Sequence, residues 1–335
     1  MINLTIPQNY SSRLTVYETQ IAIGELKRVF ENNLRKALNL KRVSAPLFVE
    51  AETGLNDDLS GKEQPVEFNV KEIGRTAQIV HSLAKWKRLA LYKYNFPIGE
   101  GLYTDMNAIR REDDLDNLHS IYVDQWDWEI VIDKASRTEA YLKQTVKSII
   151  DTICDTSDEM KKRYPSLDIS LNRDIAFITT QELEDKYPHL SPKERENIFT
   201  QEHKTVFIMQ IGDLLRSGKP HDNRAPDYDD WQLNGDILFW DDILNCAMEI
   251  SSMGIRVDAK TLDTQLTKAN CDHRRGRFFH SLLLAGELPF TIGGGIGQSR
   301  ISMLLLQKAH IGEVQASIWD VNTIACCAKA GIALL

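Results

Sequence analysis

The spacing of apolar residues predicts a long helix near the start of the chain. Within residues 15–40, apolar positions recur at steps of three and four, at Ile21, Leu26, Val29, Phe30, Leu34 and Leu38. That period is typical of an α-helix with one buried face. The stretch LKRVSAPLFVE that follows has an extended pattern, and Pro46 within it is typical of a strand edge or of a turn at an interface.

The later apolar runs are shorter and predict strands. We place them at residues 66–70, 77–83, 99–111, 118–132, 174–180, 205–212 and 235–243, with a strand pair joined by a turn at 248–258. Helices are predicted in residues 81–95, 137–163 and 191–199. In the last of these, Ser191 is the cap, Pro192 takes the first helical position and Glu194 completes a capping box. The final third is predicted to contain a helix, a glycine-rich turn and the helix SRISMLLLQKAH.

Many of these strands follow one another directly, and short links between strands favour antiparallel pairing. We therefore predict an α/β fold of the α+β type, in which helices flank a mostly antiparallel central sheet. The chain has 335 residues, of which 42% are hydrophobic, so it can bury a sizeable core. We expect a single domain over residues 1–335.

Charge and cysteine content exclude several classes of protein. The net charge of −8 argues against a surface built to bind tRNA or DNA. The cysteines are odd in number and form no CxxC pair, which argues against a disulfide framework and a structural zinc site: Cys154, Cys246, Cys271, Cys326 and Cys327. No apolar run reaches membrane-spanning length and no signal peptide is evident, so we expect a cytoplasmic protein without a membrane partner.

The glycine-rich segment TIGGGIGQSRISMLLLQ (291–307) is the sharpest candidate for a nucleotide site. Its glycines would let the backbone approach a phosphate or a base closely, and the following helix N-terminus attracts anions. Arg300 adds a permanently charged, forked donor. The segment is neither a Walker A loop nor a Rossmann fingerprint. The alternative is a tight turn into a buried helix.

A second candidate is the segment GLYTDMNAIRREDDLDNLHSIYVDQWDWE (101–129). Strand alternation places Val123, Gln125 and Asp127 on one face, with Trp126 and Trp128 behind them. A core strand seldom carries Gln and Asp on one face unless that face lines a polar site. The alternative is a solvated face.

These two segments resemble the class II aminoacyl-tRNA synthetase core. That family has a strand–loop–strand motif with an Arg and an acid, here Arg110-Arg111-Glu112, and a later G-x-G-x-x-R motif, here Gly295 to Arg300. Residues 21–50 with Pro46 match its first motif, a helix and strand at a dimer interface. The resemblance therefore implies a homodimer.

Longer segments narrow the resemblance to the ammonia-dependent aspartate–ammonia ligases, which are free-standing relatives of the aspartyl-tRNA synthetase core. The matching segments are DDLSG, VHSLAKWKR, GEGLYTDM, SIYVDQWDWE, RAPDYDDW, LNGDILFW, SSMGIRVD and TIGGGIGQSR. The implied reaction joins aspartate and ATP into β-aspartyl-AMP and pyrophosphate. Ammonia then displaces AMP to give asparagine. The implied cofactors are ATP and Mg²⁺, and the protein must align the reactants and neutralise charge.

The resemblance and this chemistry together assign the candidate site residues. Those assigned to catalysis are Lys87, Arg110, Gln125 and Arg300. Those assigned to the amino-acid substrate are Asp57, Ser82, Lys87, Gln125, Asp127 and Ser251. Those assigned to ATP are Arg110, Leu118, Ser120, Val123, Tyr228, Asp229, Asp236, Ser252 and Arg300.

Magnesium prefers oxygen ligands, commonly one or two carboxylates plus phosphates, and we choose Asp236 and Glu249. An acid on an apolar strand is costly without a partner, and a metal is one such partner. The alternative is that Asp236 pairs with Arg256 or Arg224.

Structural alternatives stay open for three other residues. Lys87 could be a surface lysine, Asp57 could cap a helix or form an Asx-turn, and Arg110 could pair with the acidic loop EDDLDN. The basic run at residues 273–277 is interpreted as a solvated helix face, with phosphate binding as the alternative.

Ammonia is the expected nitrogen donor, because no glutaminase signature is apparent: there is no N-terminal Cys nucleophile. One rival hypothesis is a true aminoacyl-tRNA synthetase, which would need an anticodon-binding module and a basic face. The other is a catalytically inactive regulatory relative, which would have lost motif residues that this chain keeps.

Overall fold

The computed structural model describes residues 4–59, 61 and 63–335 of the chain. The strands in this part are β1 (Leu40–Arg42), β2 (Phe48–Glu50), β3 (Glu67–Val70), β4 (Arg75–Ile79), β5 (Gly101–Ile109), β6 (Tyr122–Val131), β7 (Ala176–Thr179), β8 (Thr205–Met209), β9 (Asp229–Asp241), β10 (Cys246–Arg256) and β11 (Thr291–Gly297). The α-helices are α1 (Val16–Ala37), α2 (Ala84–Lys93), α3 (Glu139–Arg163), α4 (Thr180–Lys186), α5 (Pro192–His203), α6 (Ala259–Lys268), α7 (Phe278–Leu284), α8 (Gln298–Leu305) and α9 (Val321–Lys329). Short 3₁₀ helices occupy Ala51–Thr53, Asp272–Gly276 and Ile311–Glu313.

The large sheet has the strand order β1-β5-β6-β11-β10-β9-β8-β7. Its inner pairings are antiparallel, whereas β1 pairs with β5 and β7 pairs with β8 in parallel. The sheet is therefore mixed, and the expectation of a mostly antiparallel sheet is corrected. The reason lies in the connections: helices α4 and α5 lie between β7 and β8, and a crossover of this kind returns the chain in parallel. Strands β2, β4 and β3 form a separate small sheet.

Helices α1 and α3 cover one face of the large sheet. The apolar stripe of α1 is buried, as its period predicted, and the Phe30 ring lies 4.5 Å from the Trp126 ring of β6. Trp126 and Trp128 are fully buried in this core together with Ile149 and Ile153 of α3. Because side chains alternate along a strand, Gln125 and Asp127 of β6 point to the opposite face of the sheet.

Several local predictions are confirmed and three are wrong. The capping box of α5 forms as expected, with the Ser191 hydroxyl accepting from the Glu194 N–H. The glycine-rich segment is strand β11 and not a turn, and residues 248–258 form most of one long strand, β10, and not a hairpin. The basic run at 273–277 is also not a solvated helix face, because Arg274 is buried. No helix in the described part of the chain is both long and apolar enough to cross a membrane.

Candidate active site

Two adjoining cavities lie on the face of the sheet opposite α1 and α3. The larger has a volume of about 590 Å³ and the smaller about 200 Å³. Both are lined by Arg110, Gln125, Tyr228 and Glu249, so these side chains stand at the junction. This arrangement can hold a larger and a smaller ligand side by side.

The cavities bring together the predicted site residues with one exception. The larger cavity is lined by Leu118, Ser120, Val123 and Arg300 in addition to the junction residues. The smaller cavity is lined by Asp57, Ser82, Lys87, Asp127, Asp229, Asp236 and Ser252 in addition to the junction residues. Ser251 lines neither cavity, and its hydroxyl donates to the Gly295 carbonyl at 2.9 Å.

A buried ion pair forms the floor of the smaller cavity. The Lys87 ammonium lies 2.9 Å from Asp127 Oδ2 and donates to the Gly294 carbonyl at 2.8 Å. Both side chains are about 98% buried or more, so Lys87 is not a surface lysine. Burial lowers the pKa of Lys87, and the charge of Asp127 opposes that shift. Asp127 Oδ1 is buried and accepts no hydrogen bond within the described residues, so it suits a donor group on a ligand.

The glycines of β11 explain how polar side chains lie flat against this strand. A Cβ atom on Gly295 would overlap the Gln125 amide oxygen and lie 3.0 Å from Asp127 Oδ1. A Cβ atom on Gly293 would lie 2.7 Å from the Arg256 guanidinium. Glycine is therefore required here because side chains approach the backbone closely. A close approach at these glycines was also expected from the sequence, but to a phosphate or a base.

Asp57 enters the smaller cavity from the loop that follows β2. Its Oδ1 accepts from the Leu59 N–H at 2.9 Å, so it makes a local turn of the kind considered as an alternative while also lining the cavity. Burial raises the pKa of Asp57, and the charge of Lys85 opposes this rise. Burial therefore makes the charge of this carboxylate costly, and a cationic ligand would favour it.

Arg110, directly after β5, and Arg300, in the first turn of α8, both line the larger cavity. Arg110 donates to the His81 carbonyl at 3.2 Å, and its buried Nε has no acceptor in the described residues. No ion pair joins Arg110 to the acidic loop EDDLDN in the described part of the chain, but the Arg110 charge acts on Asp113 of that loop and opposes the rise in its pKa caused by burial. Arg300 donates to the Glu249 carbonyl at 2.9 Å and lies 3.7 Å from its carboxylate. Both guanidinium groups keep donors for an anionic ligand.

The Asp236 carboxylate was predicted to bind magnesium, with pairing to Arg256 or Arg224 as the alternative. It accepts from Arg224 at 2.6 Å and from the Ser252 hydroxyl at 2.6 Å, so the pairing with Arg224 considered in the sequence is present. Arg256 instead pairs with Glu129 and Asp229. Burial raises the pKa of Asp236 to about 7, and the charge of Glu249 adds to that rise. Among the described residues, no cluster of three or more His, Cys, Asp or Glu suitable for a metal is present.

Sequence reasoning missed part of the polar layer beneath the cavities. Arg224 was considered only as a partner for Asp236, yet it lines both cavities. Glu129 and Arg256 form a buried ion pair at 3.1 Å, and Arg256 also pairs with Asp229. Asp229 and Asp236 line the smaller cavity and not the larger one, together with residues that were assigned to the amino-acid substrate. The dense acids of RAPDYDDW were the only signal for this layer in the sequence.

A comparison of the sequence with known families shows which family the chain belongs to. A family model described as aspartate-ammonia ligase matches residues 17–331. The chain belongs to the aspartate–ammonia ligase family. Within this family, the curated aspartate–ammonia ligase of Clostridium tetani is 58% identical and covers 99% of this chain and 98% of its own length. Those of Bacillus cytotoxicus and Lactobacillus johnsonii are 58% and 56% identical over 97% and 100% of this chain, and 99% and 100% of their own lengths.

Solved structures show that this ligase family shares its fold with aminoacyl-tRNA synthetases. Asparaginyl-tRNA synthetase from Pyrococcus horikoshii, complexed with asparaginyl-adenylate, superposes with a TM-score of 0.64 at 16% identity, covering 89% of this chain and 68% of that one. Aspartyl-tRNA synthetase from Entamoeba histolytica gives 0.59 at 14% identity, covering 89% and 58%. The expected synthetase-like core is therefore confirmed.

Proposed function

We propose that this chain forms L-asparagine from L-aspartate, ATP and ammonia through β-aspartyl-AMP, with release of AMP and pyrophosphate. The observation that carries the proposal is the family membership, together with a small charged cavity that opens onto a larger one at Arg110. The smaller cavity would hold aspartate and the larger cavity would hold ATP, so that the β-carboxylate meets the α-phosphate at their junction. The proposal takes residues 1–335 as one catalytic unit.

In the smaller cavity, the charges of aspartate find complementary groups. The unpaired Asp127 Oδ1 and the carboxylate of Asp57 would accept from the α-ammonium group. Lys87 uses two of its three donors on Asp127 and Gly294, which leaves one for a carboxylate of the substrate. Ser82 and Gln125 would donate to the carboxylate ends.

In the larger cavity, arginines would hold the phosphates. Arg110, at the junction, would stabilise the negative charge that develops on the α-phosphate as the β-carboxylate attacks. Arg300 would bind the outer phosphates or the adenine side. Leu118, Ser120 and Val123 line the larger cavity and would contact the nucleotide, with Tyr228 at the junction. Asp229, Asp236 and Ser252 would support it from the smaller cavity.

The donor set fits one Mg²⁺ ion bound partly by phosphates. Asp236 and Glu249 both line the smaller cavity. Burial raises the pKa of Asp236, and repulsion from the Glu249 charge adds to that rise. These two carboxylates would hold the ion, which neutralises phosphate charge when bound. Two carboxylates suffice for Mg²⁺, which usually keeps water and phosphate ligands.

We also propose a cytoplasmic homodimer. Exposed apolar side chains on α1 and beside Pro46 support a subunit interface, namely Val16, Tyr17, Ile21, Leu47 and Phe48. Contacts between subunits bury apolar side chains of this kind.

Incubation of the protein with aspartate, ATP, Mg²⁺ and ammonium, without tRNA, tests the proposal. Asparagine and AMP should appear in equal amounts, and glutamine in place of ammonium should give far less asparagine. Formation of ADP instead of AMP would refute the adenylate route. Turnover only in the presence of tRNA would favour a synthetase, and no asparagine at all would favour a regulatory relative. Glu249→Gln should raise the Mg²⁺ concentration needed for half-maximal rate.

A further inference from the structure

We propose that residues 272–280, with Asp227, form a positioning clamp that holds the loop and helix carrying the amino-acid subsite. The inference rests on the proposed function, because it assigns a role toward aspartate. The clamp residues are Asp58, Lys85, Asp227, Arg274, Arg277 and His280. None of them lines either of the two active-site cavities, so they act through the residues that do.

Asp227 is the centre of the clamp. Its Oδ2 atom is contacted by Lys85 Nζ at 3.2 Å, Arg274 at 3.1 Å and His280 Nε2 at 2.9 Å. These side chains come from three separate segments and are at least 94% buried. One carboxylate oxygen therefore ties α2, the 3₁₀ helix at Asp272–Gly276 and α7 together.

A second carboxylate extends the clamp to the substrate loop. Arg274 uses its other terminal nitrogen to reach Asp58 at 3.1 Å, and Arg277 reaches the same Asp58 oxygen at 2.9 Å. Gly54 lies against this contact, since a Cβ atom there would be 2.9 Å from Arg277 Cβ. The loop that carries Asp57 is therefore held by the ion pairs of the next residue, Asp58, with Arg274 and Arg277.

The clamp adjoins three of the segments that line the smaller cavity, but not strands β6 and β11. Asp58 adjoins Asp57, Lys85 lies two residues before Lys87, and Asp227 adjoins Tyr228. Movement of Arg274 would therefore shift the loop at Asp57 and the loop at Tyr228 together.

The clamp also sets the charge next to Asp57. Three permanent cations, Lys85, Arg274 and Arg277, face the two carboxylates of Asp58 and Asp227, which leaves one positive charge in excess. The Lys85 charge opposes the rise in the pKa of Asp57 caused by burial, and the Asp227 charge acts in the opposite direction as the smaller of the two charge effects. Buried ion pairs add little net stability over apolar packing, so placing and charging Asp57 is a better reason for this cluster.

Steady-state kinetics of clamp variants test the inference. Arg274→Met and Asp58→Asn should raise the KM for aspartate about tenfold, the lower end of what loss of an outer supporting residue costs at metal centres. The KM for ATP should change less than about twofold. Arg274→Lys keeps the charge, but one ammonium cannot reproduce the forked contact to both acids, so it should behave like Arg274→Met.

Glu184→Gln is a matched control, because Glu184 is 10% exposed and pairs with Arg195 at 3.6 Å away from both cavities. It should leave both KM values unchanged. An unchanged aspartate KM in Asp58→Asn and Arg274→Met, or an equal rise in the KM for ATP, would overturn the clamp. Full recovery in Arg274→Lys would refute the bridging geometry.

Folding failure does not remove the test. If Arg274→Met fails to fold, the KM of Asp58→Asn for aspartate still tests the clamp, because the Asp58 side chain is 34% exposed and its loss leaves no fully buried charge behind. The two proposals fail separately. A wild-type protein that makes no asparagine refutes the function, whereas an active wild type with clamp variants of normal aspartate KM refutes the clamp alone.

Discussion

The substitution Gly295→Ala tests directly whether close packing of β11 against β6 builds the aspartate site. The added methyl would overlap the Gln125 amide oxygen and lie 2.9 Å from its Cδ and 3.0 Å from Asp127 Oδ1. Gly295 lies in a regular strand without a positive φ angle, so the backbone itself accepts alanine. The nearest clashes are therefore with the two polar side chains on the cavity face.

The expected magnitude follows from those distances. Ordinary carbon contacts lie at about 3.5–4.0 Å, so the Gln125 amide must withdraw by roughly 1 Å. A displacement of about 1 Å in a catalytic arrangement costs on the order of 100-fold in rate, and the overpacking costs about 1–3 kcal/mol of stability. We expect kcat/KM for aspartate to fall about 100-fold while the protein stays folded.

Two neighbouring glycines supply controls for this measurement. At Gly294 a Cβ would meet Met253 on the core face, so Gly294→Ala should destabilise the fold with a smaller effect on aspartate. At Gly297 the nearest contact is Arg300 Cβ at 3.3 Å, so Gly297→Ala should be mild in both respects. Kinetics and thermal melting of the three variants separate the effects. Near-normal kcat/KM in Gly295→Ala would refute the role of the glycine.

Two further predictions concern buried charge. Lys87→Met leaves the buried Asp127 carboxylate without its partner and should lower the free energy of unfolding, measured in urea, by about 3–5 kcal/mol. The double variant Lys87→Met/Asp127→Asn should recover much of this stability but no activity. A double variant as unstable as the single one would contradict the pairing. Burial lowers the pKa of His310 to about 4, so between pH 4 and the ordinary value of 6.5 the unfolded state binds more protons than the folded state. The contribution of His310 to stability should therefore rise with pH across that window by about 3 kcal/mol. Asp236 and Asp241, whose pKa values burial raises to about 7 and about 6, contribute with the opposite sign, so the measurement is the difference in unfolding free energy between wild type and a His310 variant at each pH. His310→Asn, which can still accept from the Gly312 N–H but does not titrate, should remove the His310 contribution, and an unchanged slope would contradict the assignment.

Local features of the fold were predictable from the sequence because they depend on neighbouring residues. The period of α1 and the capping box of α5 are examples, since both act within a few residues. The pairing direction of the edge strands was not predictable, because it depends on where long connections return the chain: α4 and α5 lie between β7 and β8, and the small sheet and α2 lie between β1 and β5. The β11 segment read as a turn since four of its seven residues are glycine, yet β6 and β10 on both sides hold it extended.

The residue types at the site were predicted better than their orientation. A turn was expected within residues 248–258, but the glycine there lies in a continuous strand, and a Cβ atom on Gly254 would meet Asn234 and Asp229 at 2.8 Å, so packing explains this glycine. Ser251 lines neither cavity because the register shifts between Glu249 and Ser251, which inverts the alternation and turns Ser252 to the smaller cavity. The clamp around Asp227 joins segments far apart in sequence, and periodicity carries no information about such contacts.

The charge of the smaller cavity connects the fold to its substrates. Among the described residues that line it, carboxylates outnumber cations by six to four: Asp57, Asp127, Asp222, Asp229, Asp236 and Glu249 against Lys87, Arg110, Arg224 and Arg256. A pocket for an anionic amino acid alone would favour the opposite balance. The excess of acid suits a pocket that also receives an α-ammonium group, a magnesium ion and ammonium, each of which brings positive charge. Aspartate should therefore bind more weakly when Mg²⁺ is withheld, and calorimetric titration of aspartate with and without Mg²⁺ and a non-hydrolysable ATP analogue measures that coupling. Equal aspartate affinity in both conditions would show that the arginines alone balance the cavity.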